Sequence, residues 1–100
     1  MVTAIVLINA RRESIPETAE ALTHLKGVAE VYSVAGEWDL VAIIRVPSND
    51  DLAELVTGHM LKFGGIVKTR TLVAFRTHSR YDLEHMFSIG LEEKPEGAAK

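Results

Sequence analysis

The chain has 100 residues, 47% of them apolar and 25% charged, with no cysteine and a net charge of −3. One domain's length with a globular balance of residues excludes a disordered chain, and the missing cysteine excludes disulfides, thiolate catalysis and cysteine-ligated zinc. The charge offers no footprint for autonomous nucleic-acid binding, no apolar run nears the roughly 20 residues of a membrane span, and the first residues lack the basic start of a signal peptide, so a cytoplasmic protein is expected.

Val2 to Ala10 is apolar on both faces of any strand it forms, with Thr3 and Asn9 its only polar side chains, which places it inside a sheet. Ser14-Ile-Pro-Glu17 matches a capping box, and Ile15, Ala19, Leu22 and Leu25 continue at helical spacing up to Gly27. Val28 to Ala35 carries Glu30, Tyr32 and Ser33 and reads as an edge strand. Leu40 to Val46 is apolar until Arg45 and reads as a central one. Between them Ala35-Gly-Glu-Trp-Asp39 is a turn, with Gly36 free to take positive φ.

Ser48 to Asp51 offers caps and acidic residues for a second helix. Leu52, Leu55, Val56, Met60 and Phe63 form its apolar side, and Gly64-Gly65 its stop. Ile66 to Thr77 alternates between two faces, Val67, Thr69, Thr71, Val73 and Phe75 on one, Lys68, Arg70, Leu72, Ala74 and Arg76 on the other. It reads as a further edge strand. A domain over 1–78 is therefore followed by a short helical extension over 79–91 and a polar tail over 92–100 expected to be disordered.

Strand, helix, strand, strand, helix, strand, with the first and third strands the most apolar, is the pattern of an α+β, ferredoxin-like βαββαβ sandwich. Its antiparallel sheet has the spatial order 4-1-3-2. Two helices cover one face of such a sheet. The apolar open face then calls for a second copy, and a homodimer joined through it is expected.

The turn concentrates chemistry that a turn does not require: carboxylates from Glu37 and Asp39, an open backbone at Gly36, and the indole of Trp38, the chain's one tryptophan. Asp39 has a plain reading as a cap of its own turn, Trp38 as interface packing, and Glu37 as a solvated side chain. Thr69 and Thr71 read equally as ordinary β-formers. The histidines suggest little. His59 is placed on the apolar side of the second helix, His24 on a helix surface, and His78, Asp82 and His85 would share a face only if the extension is helical. No metal site or cofactor is expected. The Lys68, Arg70, Arg76 row lacks interleaved aromatics and reads, like Arg11-Arg12, as solvated.

Val34-Ala-Gly-Glu-Trp-Asp-Leu40, followed by Gly65-Ile-Val-Lys-Thr-Arg-Thr71, resembles the effector-binding domain of the Lrp/AsnC family of transcriptional regulators over about residues 1 to 78. Gly36, Trp38 and Asp39 match the family's glycine, aromatic and aspartate at this hairpin, and Gly65, Val67, Thr69 and Thr71 its fourth-strand pattern. The resemblance implies a non-enzymatic module that dimerises through its sheets, assembles to tetramers or octamers, and binds a free amino acid between dimers. Gly36, Glu37, Trp38, Asp39, Thr69 and Thr71 are then the candidate ligand residues. Full-length members carry a DNA-binding domain before the first strand, which here follows directly on Met1. As a complete chain it resembles stand-alone versions, for which full-length DNA-binding relatives are candidate partners; as a piece of a longer protein, it lacks the half that binds DNA. The competing reading is a small dimeric α+β barrel enzyme, monooxygenase-like, with His59 in a cavity between helices and sheet.

Overall fold

A computed structural model describes residues 1–80. Strands β1 (Val2–Ala10), β2 (Val28–Ser33), β3 (Leu40–Val46) and β4 (Ile66–Ala74) form one antiparallel sheet in the order β2-β3-β1-β4. This is the expected ferredoxin-like order, with the most apolar strands in the middle. The fourth strand ends at Ala74, short of Thr77, and Phe75 beyond it is almost fully exposed. The expected extension over 79–91, the tail over 92–100 and the His78, Asp82, His85 grouping lie wholly or partly outside the described residues.

Cross-strand pairing fixes which side chains share a face. Ala4, Val6 and Ile8 stand opposite Ile44, Ala42 and Leu40, all fully buried, with small and large residues facing one another so that the layer fills evenly. Leu22 from the first helix and Leu52, Leu55 and Met60 from the second helical segment complete this core. The alternate residues, Ile5, Leu7, Val41 and Ile43, lie on the other face of the sheet, joined by Leu72, Tyr32 and Arg70 from the edges. Among the described residues, no helix covers that face.

Helix α1 (Ile15–Thr23) begins differently from expectation. A 3-10 turn over Arg12–Ser14 precedes it, and the backbone N–H groups of Ser14 and Ile15 donate to Arg11 and Arg12 carbonyls. Ser14 makes no side-chain cap bond, because the preceding turn leaves it at φ −107° and ψ 0°, outside the extended conformation from which a capping hydroxyl reaches the N–H three residues on. Gly27 ends the helix region at φ 103°, and an added Cβ there would meet Val46 Cγ1 at 2.8 Å.

The second helical segment is capped as expected: Ser48 Oγ accepts from the Asp51 N–H at 3.2 Å. Only Asn49–Ala53 (α2) is α-helical, however. Glu54–His59 winds as wide π turns and Met60–Lys62 as a tight 3-10 turn. Thr57 Oγ1 donates to the Ala53 carbonyl at 2.7 Å, and Gly58 supplies backbone freedom, which together loosen the ladder. The wide turns bring Leu55 and Met60, five residues apart, to the core. His59, which α-helical spacing would have turned inward, is rotated outward with its side chain 53% exposed and Nε2 3.8 Å from Glu54. Its expected place on the apolar side is thereby corrected.

Candidate functional site at the β2–β3 turn

The turn joining β2 to β3 is short because Val34 N–H donates to the Asp39 carbonyl at 3.0 Å, and Gly36 makes the reversal at φ 123°. Nothing lies within 4 Å of a Cβ added at Gly36, so the demand there is for the backbone angle alone. The turn is also fastened to the end of β1. Asp39 N–H donates to the Ile8 carbonyl at 2.9 Å, and Asp39 Oδ2 accepts the Ala10 N–H at 2.9 Å. Since Ile8 pairs with Leu40, the first residue of β3, Ala10 points its N–H at a place where β3 has already ended. The carboxylate stands in for the missing rung.

Asn9 strengthens the join by donating through Nδ2 to the Glu37 carbonyl at 3.3 Å. Its other amide atom, Oδ1, is buried without a hydrogen-bond partner. Exchanging the two amide atoms would set oxygen against the Glu37 carbonyl, so the bond fixes the orientation. A buried acceptor left unpaired costs about 1 to 3 kcal/mol, which is reason to ask what else could fill it. Asn9 lies opposite Lys68 in the β1–β4 register, and the Lys68 ammonium rests 5.1 Å from the centroid of the Trp38 ring. Asn9, Trp38 and Lys68 thus meet at one end of the open sheet face.

Of the six expected site residues, Gly36, Glu37, Trp38 and Asp39 are together on the turn, Trp38 and Asp39 partly buried, Gly36 and Glu37 exposed. Thr69 and Thr71 do not join them within one chain. They stand opposite Ile8 and Val6, whose side chains are buried under the helices, so both threonines project to the helix-bearing side. Lys68, one residue away, takes the open face instead. Asn9, Ala10 N–H and Lys68 are the groups that sequence reasoning passed over. Asn9 was visible as the one polar residue near the end of an otherwise apolar strand.

Away from the turn, a depression of about 420 Å³ opens between α1 and the start of β4, lined by Ser14, Thr18, Lys62, Phe63 and Gly65 among others. His59 does not line it.

Residues 3–83 match the family model described as the Lrp/AsnC ligand binding domain. The chain belongs to the Lrp/AsnC ligand-binding domain family. A protein of Thermus thermophilus of known crystal structure is 43% identical, with a TM-score of 0.75 over 79% of this chain and 99% of its own. An uncharacterised HTH-type transcriptional regulator of Pyrococcus furiosus is 35% identical over 78 residues, 75% of this chain and 52% of its own. A feast or famine regulatory protein of Mycobacterium tuberculosis, solved with L-methionine, is 31% identical with a TM-score of 0.65, over 79% of this chain and 53% of its own. The chain spans about half the length of the curated Lrp/AsnC-type regulators it matches. Among the described residues, no helix is long and apolar enough to cross a membrane.

Proposed function

We propose that this Lrp/AsnC domain is a cytoplasmic, non-enzymatic sensor that binds a free amino acid at an interface between dimers and alters its oligomeric assembly on doing so. The observation that carries this reading is the position of the turn, at the rim of an apolar sheet face that no helix among the described residues covers. A second copy seated on that face forms the dimer and leaves the turn at its rim, where a neighbouring dimer completes the site. The Mycobacterium relative solved with L-methionine supports an amino-acid ligand.

Gly36, Glu37, Trp38 and Asp39 form one half of the site on this reading. Thr69 and Thr71, on the opposite side of the sheet, reach a turn only from a neighbouring subunit, which suits a site shared between dimers in a tetramer or octamer. Occupancy stabilises whichever assembly completes the contacts, by about 2.7 kcal/mol at a ligand concentration 100 times its dissociation constant. The same surface lets the domain co-assemble with full-length DNA-binding relatives. Calorimetric titration with the twenty amino acids, combined with light scattering, tests the reading. Binding accompanied by a change of oligomer mass is expected; a monodisperse monomer indifferent to all twenty overturns it.

A further inference from the structure

A free amino acid presents an ammonium, which needs an acceptor, and a carboxylate, which needs a cation or a set of N–H groups. Asp39 is the obvious acceptor, yet one of its oxygens is committed to the Ala10 N–H. Two neighbouring groups are uncommitted. Asn9 Oδ1 is buried with no hydrogen bond. Lys68 has no carboxylate within ion-pair distance among the described residues, and its ammonium lies over the Trp38 ring. Asn9 and Lys68 are directly opposed on neighbouring strands, so their side chains leave the open face side by side, with Cβ atoms about 5 Å apart.

Building on the amino-acid reading above, we propose that Lys68 anchors the α-carboxylate, that Asn9 Oδ1 accepts from the α-ammonium, and that the Trp38 indole walls the side-chain pocket. A carboxylate is a stronger partner for an ammonium than an indole face is, so an arriving amino acid draws Lys68 off Trp38. The ligand class follows. Free α-amino acids with both ends charged are taken, whereas α-carboxamides, N-acetyl derivatives and residues within a peptide lose one anchor.

The test uses the whole chain. The twenty amino acids are titrated calorimetrically against wild type, Lys68→Met and Lys68→Arg, followed by the α-carboxamide and N-acetyl forms of the tightest binder. Trp38 fluorescence is recorded throughout, since no other tryptophan contributes. Lys68→Met weakens the tightest binder at least fivefold, Lys68→Arg restores most of the affinity, and the carboxamide loses at least fivefold against wild type but little against Lys68→Met. Saturation changes wild-type emission, and unchanged emission at saturation counts against Trp38 as the pocket wall. Circular dichroism and oligomer mass matching wild type exclude misfolding, and Lys68→Arg covers the case in which Lys68→Met fails to fold. Less than a fivefold loss for both the methionine variant and the carboxamide overturns the assignment while leaving the amino-acid reading intact. Absence of binding by all twenty to wild type removes both.

Discussion

Removing the Asp39 carboxylate exposes how much of the turn's order depends on β1. In Asp39→Ala the Ala10 N–H, in a residue only 9% exposed, loses its acceptor. A hydrogen bond to a charged group contributes about 1.5 to 3 kcal/mol, and an unsatisfied donor this far from solvent recovers little of that from water. A loss of about 2 to 3 kcal/mol is expected, a large share of the roughly 5 to 15 kcal/mol typical of a whole domain. With a urea slope of about 1.5 kcal/mol per molar, the unfolding midpoint falls by about 1.3 to 2 M. Asp39→Asn keeps a side-chain oxygen in reach and costs under about 1 kcal/mol. Urea unfolding at fixed protomer concentration measures both, since an oligomer's midpoint moves with concentration. A midpoint for Asp39→Ala within about 0.3 M of wild type would refute the rung argument and return Asp39 to a role in ligand contact alone.

Two further outcomes follow from local geometry. Gly27→Ala and Gly36→Ala both place a Cβ at positive φ, but only Gly27 is crowded, by Val46 and Leu55; Gly36→Ala costs about 1 to 2 kcal/mol and Gly27→Ala about 1 to 3 kcal/mol more, read from the difference in their denaturation midpoints. The Tyr32 hydroxyl donates to Glu30 Oε1 at 2.8 Å, and this hydrogen bond, then the Glu30 charge, holds the phenol above its ordinary value near 10. The bound form is the neutral one, so its stabilisation is complete below the unfolded-state value and lost as pH rises through the higher folded one. Tyrosinate absorbance, taken as wild type minus Tyr32→Phe, titrates above the ordinary value, and Glu30→Gln brings it down; a wild-type midpoint at or below about 10 contradicts this.

Sheet order was legible because polarity alone separates Leu40–Val46 and Val2–Ala10 from their more polar neighbours, and burial on two faces leaves a strand no other place. The edges of the helices were less so. Position 14 holds the right residue for a cap, but the preceding 3-10 turn sets the Ser14 backbone outside the extended cap conformation, which the spacing does not reveal. His59 was misplaced because a 3.6-residue period was assumed through Thr57-Gly58, where one hydroxyl and one glycine widen the helix and shift the inward position to Met60. At the site, the turn itself was legible from Gly36 and Asp39. The partner strand was not, since the alternation that correctly separated Lys68 from Thr69 says nothing about which side of the sheet the turn leans toward. That is decided by Asn9 and Ala10, through bonds that span the chain.

The last residues of β1 hold the β2–β3 turn through Ile8, Asn9 and Ala10, and hold the entry to β4 through the Arg11 N–H on the Gly65 carbonyl. The Ala10 to Asp39 bond closes a sequence separation of 29 residues, and the Arg11 to Gly65 bond a longer one. Chain-closure entropy must therefore be met before either bond can form. The β2–β3 turn closes on itself through Val34 and Asp39, but its tie to β1 is made only where β1 lies beside β3. The position of the turn is thus set by residues far from it in sequence, so a change at the end of β1 reaches the turn without touching it.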